Sequence, residues 1–230
     1  MIKFKEITKI YKSKKGQFIK AIDNVSFVVN SGEFISIVGK SGAGKTTLLK
    51  LIFAEEMPTK GSIFFEDIEI NKLKTENLFK LRRRIGVVFQ DYKLIPSKTV
   101  GENLDYIMQI VDCTDQEIKN DIPEVLDIVG LKDKIDHFPT ELSGGEQQRL
   151  TVARAMIHRP DLILADEPTG NLDPYNSLEI IRLLLKIQEM GTTVVLATHN
   201  KEIINRLGKR VITLKEGKII SDQERGSFIL

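Results

Sequence analysis

The sequence contains a single cysteine, Cys113, in 230 residues, and no tryptophan. One thiol cannot form an intrachain disulfide, and a cysteine-based metal site needs several thiolates. We therefore expect Cys113 to act as a small apolar or surface residue. The lack of a disulfide framework fits a protein of a reducing compartment.

Long hydrophobic runs and an excess of one charge are also missing. No stretch approaches the roughly 18 uninterrupted apolar residues of a membrane span. The N-terminal residues 1–16 alternate apolar and charged side chains and lack the apolar core of a signal peptide. The net charge of only +2 argues against a nucleic-acid-binding domain, which is usually strongly basic. These features predict a cytoplasmic protein whose association with a membrane would depend on a partner.

Three short segments are apolar at nearly every position: Phe34–Val38, Leu162–Ala165 and Thr193–Ala197. Strands of this kind are buried on both faces, and helical patterns separate them along the chain. This arrangement is typical of a parallel sheet in an α/β protein. β-rich segments precede the first of them, a helical stretch occupies the middle of the chain, and residues 211–220 predict a hairpin around Glu216-Gly217.

A glycine-rich loop follows the first apolar segment and matches the pattern G-x-x-x-x-G-K-[ST]. Its glycines allow successive backbone N–H groups to point at phosphate oxygens, and the N-terminus of the next helix adds to the attraction. Lys45 is expected to reach the β- and γ-phosphates of a nucleotide, and Thr46 to bind Mg²⁺. The predicted phosphate-binding residues are Gly39, Lys40, Ser41, Gly42, Ala43, Gly44, Lys45, Thr46 and Thr47.

A pair of acids ends the second apolar segment. Asp166 and Glu167 follow Leu162–Ala165, which places both at the carboxyl edge of the sheet, where α/β proteins bind ligands. Asp166 is a candidate Mg²⁺ ligand, and Glu167 is a candidate for polarising the attacking water. Alone the pair is weak evidence, but beside the phosphate loop it becomes a catalytic candidate.

A third motif, Leu142-Ser-Gly-Gly-Glu-Gln-Gln148, precedes a helical stretch that extends to His158. Taken alone it is typical of a glycine turn with a capping serine. The phosphate loop, this LSGGEQQ motif and the run LILADEPTGNLD occur in the same order and spacing as in the nucleotide-binding domain of ABC transporters, which the chain resembles from about Ile2 to Ile220.

The resemblance implies an ATP hydrolase that uses Mg²⁺ and has a RecA-like parallel sheet core. It also implies one domain over residues 1–230. Within it, the antiparallel β part covers 1–30 and 61–70, the helical subdomain covers 91–158, and the core covers 31–60, 71–90 and 159–220.

Further site residues are implied by the same resemblance. Tyr11 matches the aromatic that stacks on adenine, although a strand-edge tyrosine is the simpler alternative. Gln90 matches the glutamine that contacts Mg²⁺ and the attacking water, and His199 matches the histidine that holds the γ-phosphate and orients Glu167. The catalytic set is thus Glu167, His199, Gln90 and Lys45, and the Mg²⁺ set is Thr46, Gln90 and Asp166.

A second copy of the chain is the first partner that the resemblance implies. In ABC proteins the LSGGE loop closes on ATP held by the other subunit's phosphate loop, and Asn171–Asp173 matches the loop that crosses the dimer interface. Ser143, Gly144, Gly145 and Glu146 are therefore expected to contact nucleotide bound by the partner in a head-to-tail dimer.

The segment around Gln90 narrows the resemblance to one group of ABC ATPases. LRRRIGVVFQD, DEPTGNLDP and ATHN resemble the cell-division ATPases of the FtsE family, with the lipoprotein-releasing LolD and macrolide-export MacB cassettes as the alternatives. The first group implies an FtsX-like integral membrane partner that activates cell-wall hydrolases. Soluble ABC proteins of repair or translation and solute importers with an added C-terminal β domain are expected to fit less well. Arg82–Arg84 could contact anionic lipid or an acidic partner, or could simply be a solvated helix end.

Overall fold

The structure is a computed structural model that describes residues 1–13 and 16–227. It divides into two compact units, the first formed by residues 1–82 and 193–230 and the second by residues 83–192. The domain predicted over residues 1–230 also includes residues 14–15 and 228–230, which lie outside the described residues.

An antiparallel sheet opens the first unit. Its strands are β1 (Ile2–Lys12), β2 (Phe18–Val29), β4 (Lys60–Phe65) and β5 (Ile68–Glu69), and they lie in the order β2-β1-β4-β5. The buried side chains of Ile2, Phe4 and Ile7 break strict alternation along β1. The pairing with β2 shifts register between Phe4 and Ile7, and Glu6 adopts a φ of +52°. This bulge turns Ile7 back to the buried face.

A second layer of the first unit contains the strands that carry the phosphate loop and His199. Buried β3 (Phe34–Val38) pairs in parallel with both β8 (Thr193–Thr198) and β9 (Arg210–Lys215), and β10 (Lys218–Gln223) continues from β9 as an antiparallel hairpin. The helices are α1 (Lys45–Ile52), α2 (Thr75–Arg82) and α7 (Lys201–Leu207), with a 3₁₀ turn at Ile70–Lys72. Helix α1 contacts β8, and Val38, Ile204 and Val211 form a small buried cluster.

The second unit joins two parallel strands to a set of helices. Strands β6 (Ile85–Val88) and β7 (Leu162–Asp166) pair directly. The helices are α3 (Val100–Ile110), α4 (Asp115–Ile128), α5 (Gly144–Met156) and α6 (Pro174–Glu189), with 3₁₀ turns at Lys132–Lys134 and Pro139–Glu141. Helix α5 packs on β6, α3, α4 and α6.

Capping residues define where the helices of the second unit begin. Thr99, Thr114 and Ser143 each start a capping box with a glutamate three residues on, at the first turns of α3, α4 and α5. Each box satisfies backbone N–H groups that have no partner within the helix. The helix starts are therefore encoded locally in the sequence.

Candidate nucleotide-binding site

The phosphate loop leaves β3 at its carboxyl end and leads directly into α1. Helix α1 begins at Lys45, and its N-cap, Gly44, has a φ of +107° and provides no side-chain cap. Gly44 has no side chain that could cover the first turn of α1, and the N-terminus of a helix attracts anions.

Two glycines of this loop are required by close backbone contacts. A Cβ atom at Gly39 would lie 2.5 Å from the Leu214 carbonyl oxygen, and one at Gly44 would lie 2.6 Å from the Ala21 carbonyl oxygen. Gly44 also has the left-handed φ that favours glycine. The loop is further tied to the β9–β10 turn, because Gly217 N–H donates to the Ala43 carbonyl at 3.1 Å.

Lys45 is buried within the loop, with 6% of its surface exposed. Its Nζ donates to the carbonyl oxygens of Gly39 at 2.9 Å and Lys40 at 3.4 Å. Both acceptors are backbone carbonyls of the loop, so these hydrogen bonds hold the ammonium inside the loop, where a positive charge attracts phosphate oxygens. The residues of the loop thus fit a nucleotide phosphate group. Nearby, a cavity of about 280 Å³ is lined by Lys40–Ala43 and Leu214–Glu216.

His199 lies at the same sheet edge as the phosphate loop. Val38, the last residue of β3, pairs with Thr198, the last residue of β8. Gly39 and His199 therefore leave adjacent parallel strands at the same level. His199 is exposed, and the next residue, Asn200, caps α7 by accepting from Glu202 N–H at 3.1 Å.

Tyr11 is half-buried at the end of β1, opposite Ile19 of β2. The Lys9 ammonium lies 4.9 Å from the centroid of its ring and binds a Glu56 carboxylate oxygen at 2.6 Å. The ring is therefore fixed on a strand, with a cation against it. A planar base that stacks on Tyr11 would have to use the part of the ring that Lys9 leaves uncovered.

In the second unit, Gln90 and the acidic pair follow the parallel strands β6 and β7. Val88 pairs with Ala165, so Gln90 and Asp166 both leave this strand pair at its carboxyl edge. Asp166 is half-buried, as is Glu167. Glu167 has a φ of +46°, a left-handed conformation that is uncommon for non-glycine residues.

The Gln90 side chain lies beside the turn that follows Glu167. Gly170 N–H donates to the Glu167 carbonyl at 3.0 Å, and a Cβ atom at Gly170 would lie 2.8 Å from Gln90 Nε2. Asn171 Nδ2 donates to the Gln90 carbonyl at 3.2 Å. The structure therefore brings together Gln90 and the segment Glu167–Asn171.

The four residues Ser143–Glu146 have different environments. Ser143 and Gly144 are exposed, while Gly145 is buried against Asn176 of α6. Glu146 Oε2 accepts from the Ser143 hydroxyl at 2.7 Å and from its N–H at 2.8 Å. These hydrogen bonds, first the one from the hydroxyl, hold the pKa of Glu146 below its ordinary value. Glu146 thus shapes the helix start, and the exposed surface is that of Ser143 and Gly144.

Three polar residues of this region have structural roles that were not predicted from the sequence. Asp173 caps α6 by accepting from the N–H groups of Tyr175 and Asn176 at 2.9 and 3.0 Å. The Asp-Pro pair at the start of α6 is a helix-start signal that would have located it. Gln148 and Arg154 of α5 hold the backbone around Gln90, and no local signal marks them.

The arginine cluster at the end of α2, Arg82–Arg84, binds acceptors within the chain. Arg82 Nη2 donates to the Ala54 carbonyl at 3.0 Å. The guanidinium groups of Arg83 and Arg84 bind the carboxylates of Asp112 at 2.8 Å and Asp161 at 2.6 Å. Neither interpretation, a surface for anionic lipid or an acidic partner or a solvated helix end, is tested by these contacts, and both stay predictions.

Comparison with known proteins places this arrangement in a family. The sequence profile described as ABC transporter matches residues 22–170. The chain belongs to this family, and it is an ATP hydrolase of the ABC type that binds ATP. The α/β fold class predicted from the sequence is confirmed by solved ABC cassettes. One of them is the dimeric structure of a post-hydrolysis state of the ATP-binding cassette MJ0796 bound to ADP and Pi. That structure aligns with a TM-score of 0.89 and 38% identity, over 99% of this chain and 100% of the other.

Two curated relatives carry a name more specific than that of the family. The cell division ATP-binding protein FtsE of Bacillus subtilis is 46% identical over 99% of this chain and 98% of its own length. FtsE of Streptococcus pneumoniae is 49% identical over 90% of each chain. The resemblance to FtsE stated from the sequence is confirmed. Within residues 1–13 and 16–227, no helix is both long enough and apolar enough to cross a membrane.

Proposed function

We propose that this chain is the ATPase subunit of a membrane complex of cell division, in which ATP-driven movement acts on an FtsX-like integral membrane protein that controls cell-wall hydrolases. The observation that carries the proposal is the 46% identity to a cell-division ATPase over nearly the whole of both chains. In this proposal the chain is cytoplasmic and binds the inner face of the cell membrane through that partner.

We assign nucleotide binding to Tyr11 and the phosphate loop. The Tyr11 ring stacks on the adenine base, and the backbone N–H groups of residues 41–47 bind the phosphates. The buried Lys45 ammonium supports this role, because it exchanges the carbonyls of Gly39 and Lys40 for the more strongly attracting β- and γ-phosphate oxygens.

The oxygen donors of this chain fit Mg²⁺. Thr46 offers a hydroxyl, Asp166 a carboxylate and Gln90 an amide oxygen, which are hard ligands of the kind that Mg²⁺ prefers. A bound Mg²⁺ would neutralise charge on the phosphates during transfer. Asp166 is well placed for this role because the buried strand β7 fixes its backbone.

We assign the attacking water to Glu167, His199 and Gln90. Glu167 accepts a proton from the water or polarises it, His199 binds the γ-phosphate and orients Glu167, and Gln90 contacts the water. Positioning and electrostatic stabilisation supply most of the acceleration in phosphoryl transfer. The left-handed backbone of Glu167 supports a role that demands one fixed side-chain direction.

A second copy of the chain completes each site in this mechanism. Ser143 and Gly144 are exposed at the N-terminus of α5, which is a surface that can bind a γ-phosphate presented by another molecule. The dimeric structure of the similar MJ0796 cassette supports a symmetric pair of chains. Two chains would then enclose two ATP molecules head to tail.

The partner is tested by co-expression with the FtsX-like protein of the same organism and, separately, with its lipoprotein-releasing or macrolide-export membrane subunits. We expect co-purification with the FtsX-like protein, and cells depleted of this chain should form filaments or chains. Selective co-purification with an export subunit, together with normal division on depletion, would replace this proposal with the export function.

A further inference from the structure

Directly after Gln90 the backbone adopts an uncommon conformation. Tyr92 and Lys93 are consecutive non-glycine residues with φ values of +59° and +54°. Such residues persist in the left-handed region when surrounding groups hold them there. The turn is closed from within by Lys93 N–H, which donates to the Asp91 carbonyl at 2.6 Å, and by the Lys93–Asp91 ion pair at 2.7 Å.

The group that holds this turn from outside is the Arg154 guanidinium on α5. Arg154 Nη2 donates to the Tyr92 carbonyl at 2.7 Å, and Nη1 donates to the Lys93 carbonyl. A planar guanidinium can bind two carbonyl oxygens at once with fixed geometry, and its charge strengthens both hydrogen bonds. Arg154 is half-buried, and burial lowers its pKa.

Helix α5 also holds the chain on the other side of Gln90. Gln148, which is 1% exposed, donates from Nε2 to the Phe89 carbonyl at 3.4 Å. Two side chains of one helix therefore bind the backbone before and after Gln90. The same helix begins at the exposed Gly144, where a Cβ atom would lie 3.3 Å from the Tyr92 hydroxyl.

We propose that Arg154 is a positioning residue for Gln90: by binding the Tyr92–Lys93 turn to α5, it makes Gln90 and the Ser143–Gly144 end of that helix move as one body. The inference rests on the role of Gln90 in hydrolysis given above. It adds that this role depends on a two-point contact made by a side chain six residues after the LSGGEQQ motif. Lysine cannot replace Arg154, because one ammonium has no planar fork for two carbonyls.

The test is ATP hydrolysis by the full chain carrying Arg154→Lys, alone and combined with Gln90→Ala. We expect R154K to lower kcat about tenfold with a KM for ATP within about twofold, the pattern of an interaction made in the transition state. In the Q90A background R154K should cause no further loss, because residues that act through one another are not additive. The matched control is Arg149→Lys. Arg149 lies on the same helix and binds Glu179 at 3.2 Å, so R149K should hydrolyse ATP at close to the wild-type rate.

Three outcomes would overturn the inference while leaving the proposed function in place, provided that Q90A itself is impaired. They are a wild-type kcat for R154K, an equal loss for R149K, and a full tenfold loss added by R154K in the Q90A background. Wild-type turnover by Q90A would instead remove Gln90 from the mechanism, and this inference with it.

Should R154K fail to fold, amide hydrogen exchange of the unmodified chain provides a second test. We expect the Lys93 amide to exchange as slowly as the central amides of α5, because the turn is bound to that helix. Exchange at the rate of an exposed loop would show that the turn is not held, and would overturn the inference.

Discussion

At the scale of single residues, the site depends on groups whose backbone or charge is fixed before substrate binds. Lys45 is buried and donates to carbonyls of its own loop, and Glu167 has a left-handed backbone closed by a hydrogen bond from Gly170. Such fixed groups lose little entropy on binding and need little rearrangement for the chemical step.

Glu167→Gln tests the catalytic carboxylate. The amide keeps the size and the backbone conformation but cannot accept the proton of the attacking water. We expect turnover to fall by at least about 100-fold, while ATP still binds and holds two chains together. Single-turnover hydrolysis and size-exclusion chromatography with ATP measure the two effects. Turnover near the wild-type rate would remove Glu167 from this role.

Some of these residues could be predicted because their signals are local. The phosphate loop is contiguous, and its glycines, lysine and threonine are all visible in nine residues. The burial of Gly145 against Asn176 and the binding of Tyr92 and Lys93 by Arg154 are different, because the partners are more than 30 residues apart. Sequence patterns report periodicity and turns, but they do not say which side chain meets which distant backbone.

At the scale of elements, the helix that carries Ser143 is defined by the same residues that are proposed to bind nucleotide. The sequence pattern allowed either a glycine turn with a capping serine or a ligand-binding loop. The structure shows the cap, since Ser143 and Glu146 form a capping box. Ser143 can serve both purposes, because its N-terminal position leaves it exposed.

Ser143→Ala separates these two purposes when it is compared with Thr114→Ala, which removes the matching box of α4. Loss of the Ser143 cap should lower the free energy of unfolding by about 1 kcal/mol, and T114A should give a comparable loss. Only S143A should also reduce ATP turnover. Urea unfolding and steady-state hydrolysis measure the two quantities, and an equal loss of turnover in T114A would mean that stability alone is responsible.

The contribution of the Ser143–Glu146 box should depend on pH. The folded state lowers the pKa of Glu146, so the ionised carboxylate stabilises the fold at pH values above its unfolded pKa. This stabilisation is lost as pH falls through the lower, folded pKa. The stability difference between the wild type and S143A should therefore shrink below about pH 4. A difference that is constant down to strongly acidic pH would contradict this.

Strand β1 shows a feature that the alternation of apolar residues could not predict. Ile2 and Phe4 follow the period of two, but Ile7 falls out of phase with them. The bulge at Glu6 restores the pairing, so one strand continues through what alternation alone would treat as an interruption. A bulge of this kind is fixed by neighbouring strands, and β1 has β2 on one side and β4 on the other.

At the scale of the whole molecule, the proposed mechanism makes the active unit a pair of chains. The relevant residues fall into a set that binds nucleotide in its own chain and a set that closes the partner's site. Lys45 belongs to the first set and Ser143 to the second, so the two can be inactivated independently.

Mixing Lys45→Ala with Ser143→Arg tests this arrangement. Each variant alone should hydrolyse little ATP, because each homodimer contains two defective sites. The mixed dimer should contain one site with an intact Lys45 from one chain and an intact Ser143 from the other, so activity should rise on mixing toward about a quarter of the wild-type rate for random pairing. The value of a quarter applies when the intact site of a mixed dimer works independently of the defective one. No recovery on mixing, with both variants folded, would mean that Ser143 does not act in trans.

Because Val38 pairs with Thr198 in parallel, the register of these strands determines where His199 lies relative to the phosphate loop. Slippage by one residue would displace His199 from the phosphate loop by about 3.3 Å, more than the tolerance of a hydrogen bond. Both strands are buried throughout, and buried strands do not slip without exposing their apolar faces. The proposed approach of His199 to the phosphates thus depends on the apolar side chains that bury these two strands.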